Sequence, residues 1–216
     1  MAFLKPPKNK DSLSNVLMVS VFLCLACSAV VSVAAVSLRE MQQANVKLAK
    51  QRDRLIAAGF KEQVDGKSGK EIGALYAERI REQWIDLETG EPTTAPAEDA
   101  KEYDFEAAPG DNSISTLIDA KYGVPGRRPK VAPIYQVLAA DGTTVDKIVL
   151  PMSGKGLWST LRAYVALDVN FNEANAKERF PIAGVTFYEQ AETAGLGAEV
   201  ENADWQKGWE GRFAFR

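Results

Sequence analysis

The 216-residue chain contains no histidine, and its only two cysteines, Cys24 and Cys27, stand close together near the amino terminus. Histidine is the usual general base near neutral pH and the commonest metal ligand, so Ser-His hydrolase chemistry and histidine-zinc chemistry are excluded. Beyond Cys27 there is no thiol, and the rest of the chain therefore holds neither disulfides nor cysteine-ligated clusters.

Charge is missing over one long stretch: no Asp, Glu, Lys or Arg lies between Asp11 and Arg39. Within that gap the 23 residues Val16 to Leu38 read VLMVSVFLCLACSAVVSVAAVSL. As a helix they would extend roughly 34 Å, enough to cross a hydrocarbon core of about 30 Å. A transmembrane helix over 16–38 is therefore expected. A cleaved signal peptide ending at the small residues Val33-Ala34-Ala35 is the rival reading, but such apolar regions are shorter, about 7 to 15 residues. Lys5, Lys8 and Lys10 precede the span and Arg39, Lys47, Lys50, Arg52 and Arg54 follow it, so charge bias does not support a cytoplasmic amino terminus. Cys24 and Cys27 share a helix face. Two readings follow, a shared metal site or small apolar residues at a lipid or helix contact, and the second is the simpler.

Three of the 26 basic and one of the 29 acidic residues precede the span, which leaves the remainder at about −5. An acidic body without a basic stripe is no nucleic-acid binder.

Arg39 to Ala58 (REMQQANVKLAKQRDRLIAA) is rich in helix formers and ends at Gly59, so the helix is expected to continue past the membrane. Ile72, Leu75, Tyr76, Ile80 and Trp84 recur at helical spacing and predict a second helix over Lys70 to Trp84, with a core-facing stripe. From Ile85 to Lys130 acids, prolines and glycines dominate and predict irregular chain, apart from a short apolar patch at Ile114 to Ile118.

Strand signals follow. Val131 to Ala139 and Val145 to Leu150 flank Asp141-Gly142, a hairpin signature, and Leu161 to Val169 and Ile182 to Tyr188 supply two more strands. Asn202 is placed to cap a short helix holding Trp205 and Trp209, with Asp204 in its first turn. The expected organisation is a tail at 1–15, the span at 16–38, a helical and irregular connecting region at 39–130, and an α+β domain with an antiparallel sheet at 131–216.

Two glycine-bearing loops stand out. The first is Ser153-Gly154-Lys155-Gly156-Leu157-Trp158-Ser159, and the second is Glu192-Thr193-Ala194-Gly195-Leu196-Gly197. Neither matches the Walker spacing or the G-x-G-x-x-G pattern, so a nucleoside triphosphate or Rossmann site is not indicated. They read either as two tight turns around a buried tryptophan or as bare backbone beside the apolar surfaces of Leu157, Trp158 and Leu196. The second arrangement suits a flat heteroaromatic ring.

The order GKGLWS, then TFYEQAETAGLGAEVEN, then tryptophan, behind a span followed by VSLRE, resembles the C-type subunit of the bacterial sodium-translocating NADH:quinone oxidoreductase. The resemblance covers nearly the whole chain and is weakest through residues 60 to 130. It implies a single-span inner-membrane protein with a cytoplasmic amino terminus and a periplasmic FMN-binding domain. FMN would be held covalently, through its phosphate, by a threonine hydroxyl. By the same resemblance Gly156, Leu157, Trp158 and Ser159 belong to one flavin-pocket loop, and Glu192, Thr193, Gly195, Leu196 and Gly197 to the other. Leu157, Thr193 and Leu196 are expected to touch the ring. No catalytic acid–base residue and no metal ligand is implied.

The implied chemistry is relay of single electrons from an iron-sulfur centre in the membrane subunits to a flavin of the neighbouring B-type subunit. The implied partners are those subunits and the lipid bilayer, with no nucleic acid. Two departures stand out. Ala194 replaces the family's usual proline, and the attachment motif, Ser-Gly-Ala-Thr followed by Thr or Ser, is nowhere in the chain. Neither Thr160 nor Thr193 sits in such a motif, so the attachment residue is unknown. The expectation is a shortened version whose closing elements lie beyond Arg216. The alternatives are a G-type flavin subunit of the related Rnf complex, which has a similar Glu-Thr-x-Gly-Leu-Gly loop, and a flavin-free tethered scaffold.

Overall fold

The computed structural model describes residues 12–94, 96, 103–119, 126–169 and 180–214. Lys5, Lys8 and Lys10 of the tail, parts of the 85–130 segment, and Phe215 and Arg216 lie outside them. By contacts the chain divides into Met1–Lys47 and Leu48–Arg216.

The first unit is dominated by helix α1, Leu13–Ala57, which begins before the apolar span and runs on through the predicted extension. Its most apolar 18-residue window has a mean hydropathy of 2.6 and no buried residue. A fully lipid-facing stretch must satisfy its backbone internally, and a continuous helix does so. The chain leaves the helix at Gly59, whose φ of +95° is open to glycine at little cost.

In the second unit, α2 (Lys61–Val64) leads to α3 (Gly69–Arg79). Ser68 opens α3 with a capping box: its hydroxyl accepts from the Glu71 N–H, and the Glu71 carboxylate accepts from the Ser68 N–H. The helix ends at Arg79 rather than Trp84. Residues Ile80–Asp86 form strand β1, paired antiparallel with β5 (Val131–Leu138) from Ile80↔Val137 to Asp86↔Val131. Ile80 and Trp84 keep helical spacing in the sequence, but seven paired positions with β5 outweigh that local preference.

The main sheet has the order β2-β1-β5-β6-β7-β8, antiparallel throughout, with β2 at Pro92–Thr93, β6 at Val145–Lys155, β7 at Thr160–Asp168 and β8 at Ile182–Glu189. A small second sheet pairs β3 (Ser115–Leu117) with β4 (Arg127–Pro129), so the Ile114–Ile118 patch is largely a strand. The β5–β6 hairpin turns at Gly142, φ +70°, and the Asp141 carboxylate accepts from the N–H groups of Thr143 and Thr144 at 2.9 Å each. Strand β6 runs five residues past the expected Leu150. Its pairing with β5 stops at Val149, so Pro151 falls where one edge is free and its missing N–H costs no ladder bond.

Alternation along β7 divides the core. Tyr164 and Ala166 face a cluster with Leu55, Val64, Ile72, Tyr135 and Val149, and Ala163 and Leu167 face one with Ile182 and Val185. Each such fully buried large apolar side chain contributes roughly 1.5–3 kcal/mol. Helix α4 (Ala203–Lys207) is capped as expected, the Asn202 side-chain oxygen accepting from the Asp204 N–H at 2.9 Å. Trp205 lies in it, whereas Trp209 lies in the turn beyond and packs on the second cluster.

Candidate functional site

Topology brings the two glycine-bearing loops to one end of the sheet. Strand β7 begins at Thr160, immediately after the first loop, and β8 ends at Glu189, just before the second. Their antiparallel pairing, Arg162 opposite Glu189, therefore seats the loops side by side. Ser153, Gly154 and Lys155 belong to β6 itself, so the first loop proper is the turn Gly156 to Ser159, closed by the Gly156 N–H donating to the Ser159 carbonyl at 2.8 Å.

The joint between the loops is Glu192. Its carboxylate accepts from the N–H groups of Leu157 (3.2 Å), Trp158 (3.1 Å) and Ser159 (2.9 Å), and from the Ser159 hydroxyl (2.9 Å). The Ser159 oxygen in turn accepts from the Ala191 N–H at 2.9 Å. Partial desolvation works against the charge, but the bonds from Ser159, Trp158 and Leu157 outweigh it and hold the carboxyl below its ordinary value.

Glycine is required at two places around this carboxylate. A Cβ on Gly156 would collide with Glu192 Oε1 and lie 3.0 Å from the Ser159 carbonyl, and one on Gly197 would lie 2.7 Å from Glu192 Cβ. The second loop turns at Gly195, φ +73°, and its Thr193 carbonyl accepts from the N–H groups of Leu196 and Ala198. The structure thus brings Gly156, Leu157, Trp158, Ser159, Glu192 and Gly197 together directly, and Thr193, Gly195 and Leu196 through the turn that carries Glu192.

The side chains left outward are apolar: Leu157 is 81% exposed, Trp158 73% and Leu196 74%. The tryptophan is not the buried one that a purely structural turn would hold. Beside it lies a cavity of about 420 Å³, lined by Gly156 to Thr160 and also by Ile118, Arg127, Ser153 and Lys155. Ile118 and Arg127 were not expected at the site: the sequence marked Ile118 only as the end of a short apolar patch and Arg127 not at all, and it is the pairing of β3 with β4 that sets them side by side. The residues fit a flat ring along the apolar surface. They do not fit a phosphate in the first loop, because its three converging N–H groups are already occupied by Glu192.

Cys24 and Cys27 are exposed along α1 as free thiols. Among the described residues no group of three or more His, Cys, Asp or Glu is placed to hold a metal ion.

A helix long and apolar enough to cross a membrane, leading to an antiparallel α+β domain with exposed apolar side chains on two loops joined by Glu192, defines the class: a helix-anchored α+β module. No general family profile matches the chain. Individual relatives do. It is 37% identical over 211 residues to the C-type subunit of the Na(+)-translocating NADH-quinone reductase of Vibrio parahaemolyticus, covering 96% of this chain and 75% of that protein. With the corresponding subunit of Pseudomonas aeruginosa it shares 37% identity over 206 residues, 94% of this chain and 74% of that one. The crystal structure of NqrC from Shewanella oneidensis superposes with a TM-score of 0.62 at 28% identity, over 77% of this chain and 70% of that one. The equivalent subunit of Parabacteroides distasonis, with a TM-score of 0.55 and 24% identity over 81% and 69% of the two chains, supports the fold.

The chain belongs to the NqrC family, the C-type subunits of Na+-translocating NADH-quinone reductases, which are oxidoreductase complexes of the membrane. The Rnf-type alternative is not favoured, since these relatives are all named as NADH-quinone reductase subunits.

Proposed function

We propose that the wall formed by Leu157, Trp158 and Leu196 is one side of an FMN site, and that the subunit relays single electrons within the sodium-translocating complex. The observation that carries the reading is the exposure of these three apolar side chains on two loops that a shared hydrogen-bond network clamps together. Exposed large apolar groups on a stiff frame are costly in water unless something covers them.

When bound, FMN supplies the one-electron redox chemistry. The chain's own residues bind and orient it. Leu157, Trp158 and Leu196 offer apolar faces, backbone at Gly156 and Gly197 permits close approach, and the exposed Thr193 offers a hydroxyl at the ring's edge. No proton-transfer base is needed, which suits a chain without histidine. On this reading the span at 16–38 anchors the folded unit of Leu48–Arg216, whose sheet includes β1 and β2 and so reaches back before residue 131, at the bacterial inner membrane, amino terminus cytoplasmic and domain periplasmic. The iron-sulfur centre of the membrane subunits and the flavin of the B-type subunit are then its redox neighbours.

The test is to purify the assembled complex, separate this subunit under native and under denaturing conditions, and assay both preparations for flavin by absorption and fluorescence. A second arm compares Leu196→Ala and Trp158→Ala. Subunit-bound flavin whose spectrum and reduction potential shift in both variants supports the reading. A native complex whose subunit carries no flavin, covalent or otherwise, returns the scaffold alternative and ends this one.

A further inference from the structure

We propose that Glu192 is the positioning residue of the site: an internal anion that fills a backbone nest suited to oxyanions, and by filling it holds the Leu157–Trp158 wall outward. The use of that wall by a flavin rests on the reading above, while the nest and its occupant stand on geometry alone.

Three consecutive amides, those of Leu157, Trp158 and Ser159, point at one carboxylate, and the Ser159 hydroxyl adds a fourth donor. Successive N–H groups converging in a turn make a concavity that binds phosphate or carboxylate in many proteins. Here the anion comes from the chain itself, 33 to 35 residues away in sequence. Both carboxylate oxygens are used: Oε2 takes Leu157 and a second, longer bond from Trp158 at 3.4 Å, and Oε1 takes Trp158, Ser159 N–H and Ser159 hydroxyl.

Two consequences follow. A free phosphate or a flavin phosphate is barred from the first loop, because it would meet a fixed like charge in the place where these amides converge. And the outward set of Leu157 and Trp158 goes with their amides being drawn inward, since both side chains are largely exposed and neither belongs to a core cluster of the described residues. Gly156 completes the device, because any larger residue would push against the carboxylate.

Removing the carboxylate should turn the nest into a real oxyanion site. The experiment uses the full-length chain in detergent, with hydrogen exchange read by mass spectrometry on the 156–160 segment, for wild type, Glu192→Ala and Glu192→Gln. Bonds to a charged acceptor predict exchange faster by roughly ten- to a hundredfold in Glu192→Ala. Formate should restore most of the protection, and chloride at equal ionic strength should not. Glu192→Gln should fall between, its amide offering a single acceptor oxygen, and it stands in for Glu192→Ala should that variant not fold.

A parallel arm measures the flavin spectrum and midpoint potential of the same variants in the assembled complex. Both should shift in Glu192→Ala and return with formate. Unchanged exchange, or acceleration that formate leaves untouched, overturns the nest. Restored amides beside a flavin that never moved overturn the positioning role. A complex with no flavin in the wild type defeats the flavin reading instead, and the exchange arm still decides on Glu192.

Discussion

Arg54 carries its guanidinium carbon 3.8 Å from the centre of the Tyr135 ring, half-buried beside the core cluster that holds Tyr135 and Tyr164. One Nη donates to the Tyr76 hydroxyl at 2.9 Å, the Tyr164 ring is 5.2 Å away, and Nε has no hydrogen-bond partner among the described residues. Burial opposes the charge, yet the three tyrosines around it hold the group protonated. Ring faces are weakly negative and carry little desolvation cost of their own, which makes them suitable company for a half-buried cation. Tyr164 also stacks on Tyr188 at 4.6 Å, and the Tyr188 hydroxyl donates to Glu106, the partner of Lys50.

Replacing Arg54 by methionine keeps most of the stem and removes the charge. The loss expected is about 1–2 kcal/mol, from the cation–ring contact and the orphaned Tyr76 hydroxyl. Alanine adds a cavity and should cost about 3 kcal/mol or more. Thermal unfolding followed by near-ultraviolet circular dichroism reads both. A methionine variant as stable as wild type would show that the rings merely tolerate the charge.

Gly184 of β8 faces the end of α1 so closely that a Cβ there would overlap the Ala57 carbonyl oxygen. The obstacle is backbone, which cannot rotate away. Gly184→Ala should therefore destabilise by about 2 kcal/mol or more. Gly154→Ala, where a Cβ would meet nothing within 4 Å, is the control and should be close to neutral.

Gly156→Ala should separate site from fold. The new methyl group would press on Glu192 Oε1 and the Ser159 carbonyl, whereas the core clusters lie elsewhere. The unfolding temperature should move little while flavin content or spectrum of the assembled complex changes. A large fall in stability with an unaltered flavin would contradict the placement of the site.

Glu71, in the capping box of α3, has its carboxyl lowered to about 2 by the Ser68 N–H and hydroxyl and by Lys67. A depressed carboxyl binds fewer protons in the folded chain than in the unfolded one. Its contribution is therefore complete above the ordinary value of 4.5 and is lost as pH falls through that value towards 2. Glu71→Gln should flatten the pH dependence of stability in this window and leave the slope above about pH 6 unchanged. Unfolding midpoints taken at several pH values check it.

Features that depend on neighbours in the chain were legible in sequence. The apolar run of α1, its stop at Gly59, the Asp141-Gly142 hairpin and the Asn202 cap each rest on residues within a turn or two of one another. The two loops were visible as motifs for the same reason. The helix over Lys70 to Trp84 was not: its second half carries a pattern that serves a strand equally well, and β5, some fifty residues on, decides between them.

By itself, the sequence determined a membrane-length apolar helix, an antiparallel α+β domain, and two glycine-bearing loops without histidine or cysteine. Those follow from composition and local periodicity, which act on each segment wherever it sits. Tertiary structure decided that Glu192 reaches across to the amides of residues 157 to 159, that Trp158 faces outward, and that Arg54 sits half-buried among tyrosines. Each of these depends on strand register and on helix-to-sheet packing, which bring together groups that no local pattern relates. The glycines at 156 and 197 show the difference: in sequence they mark turns, and in space they make room for one carboxylate.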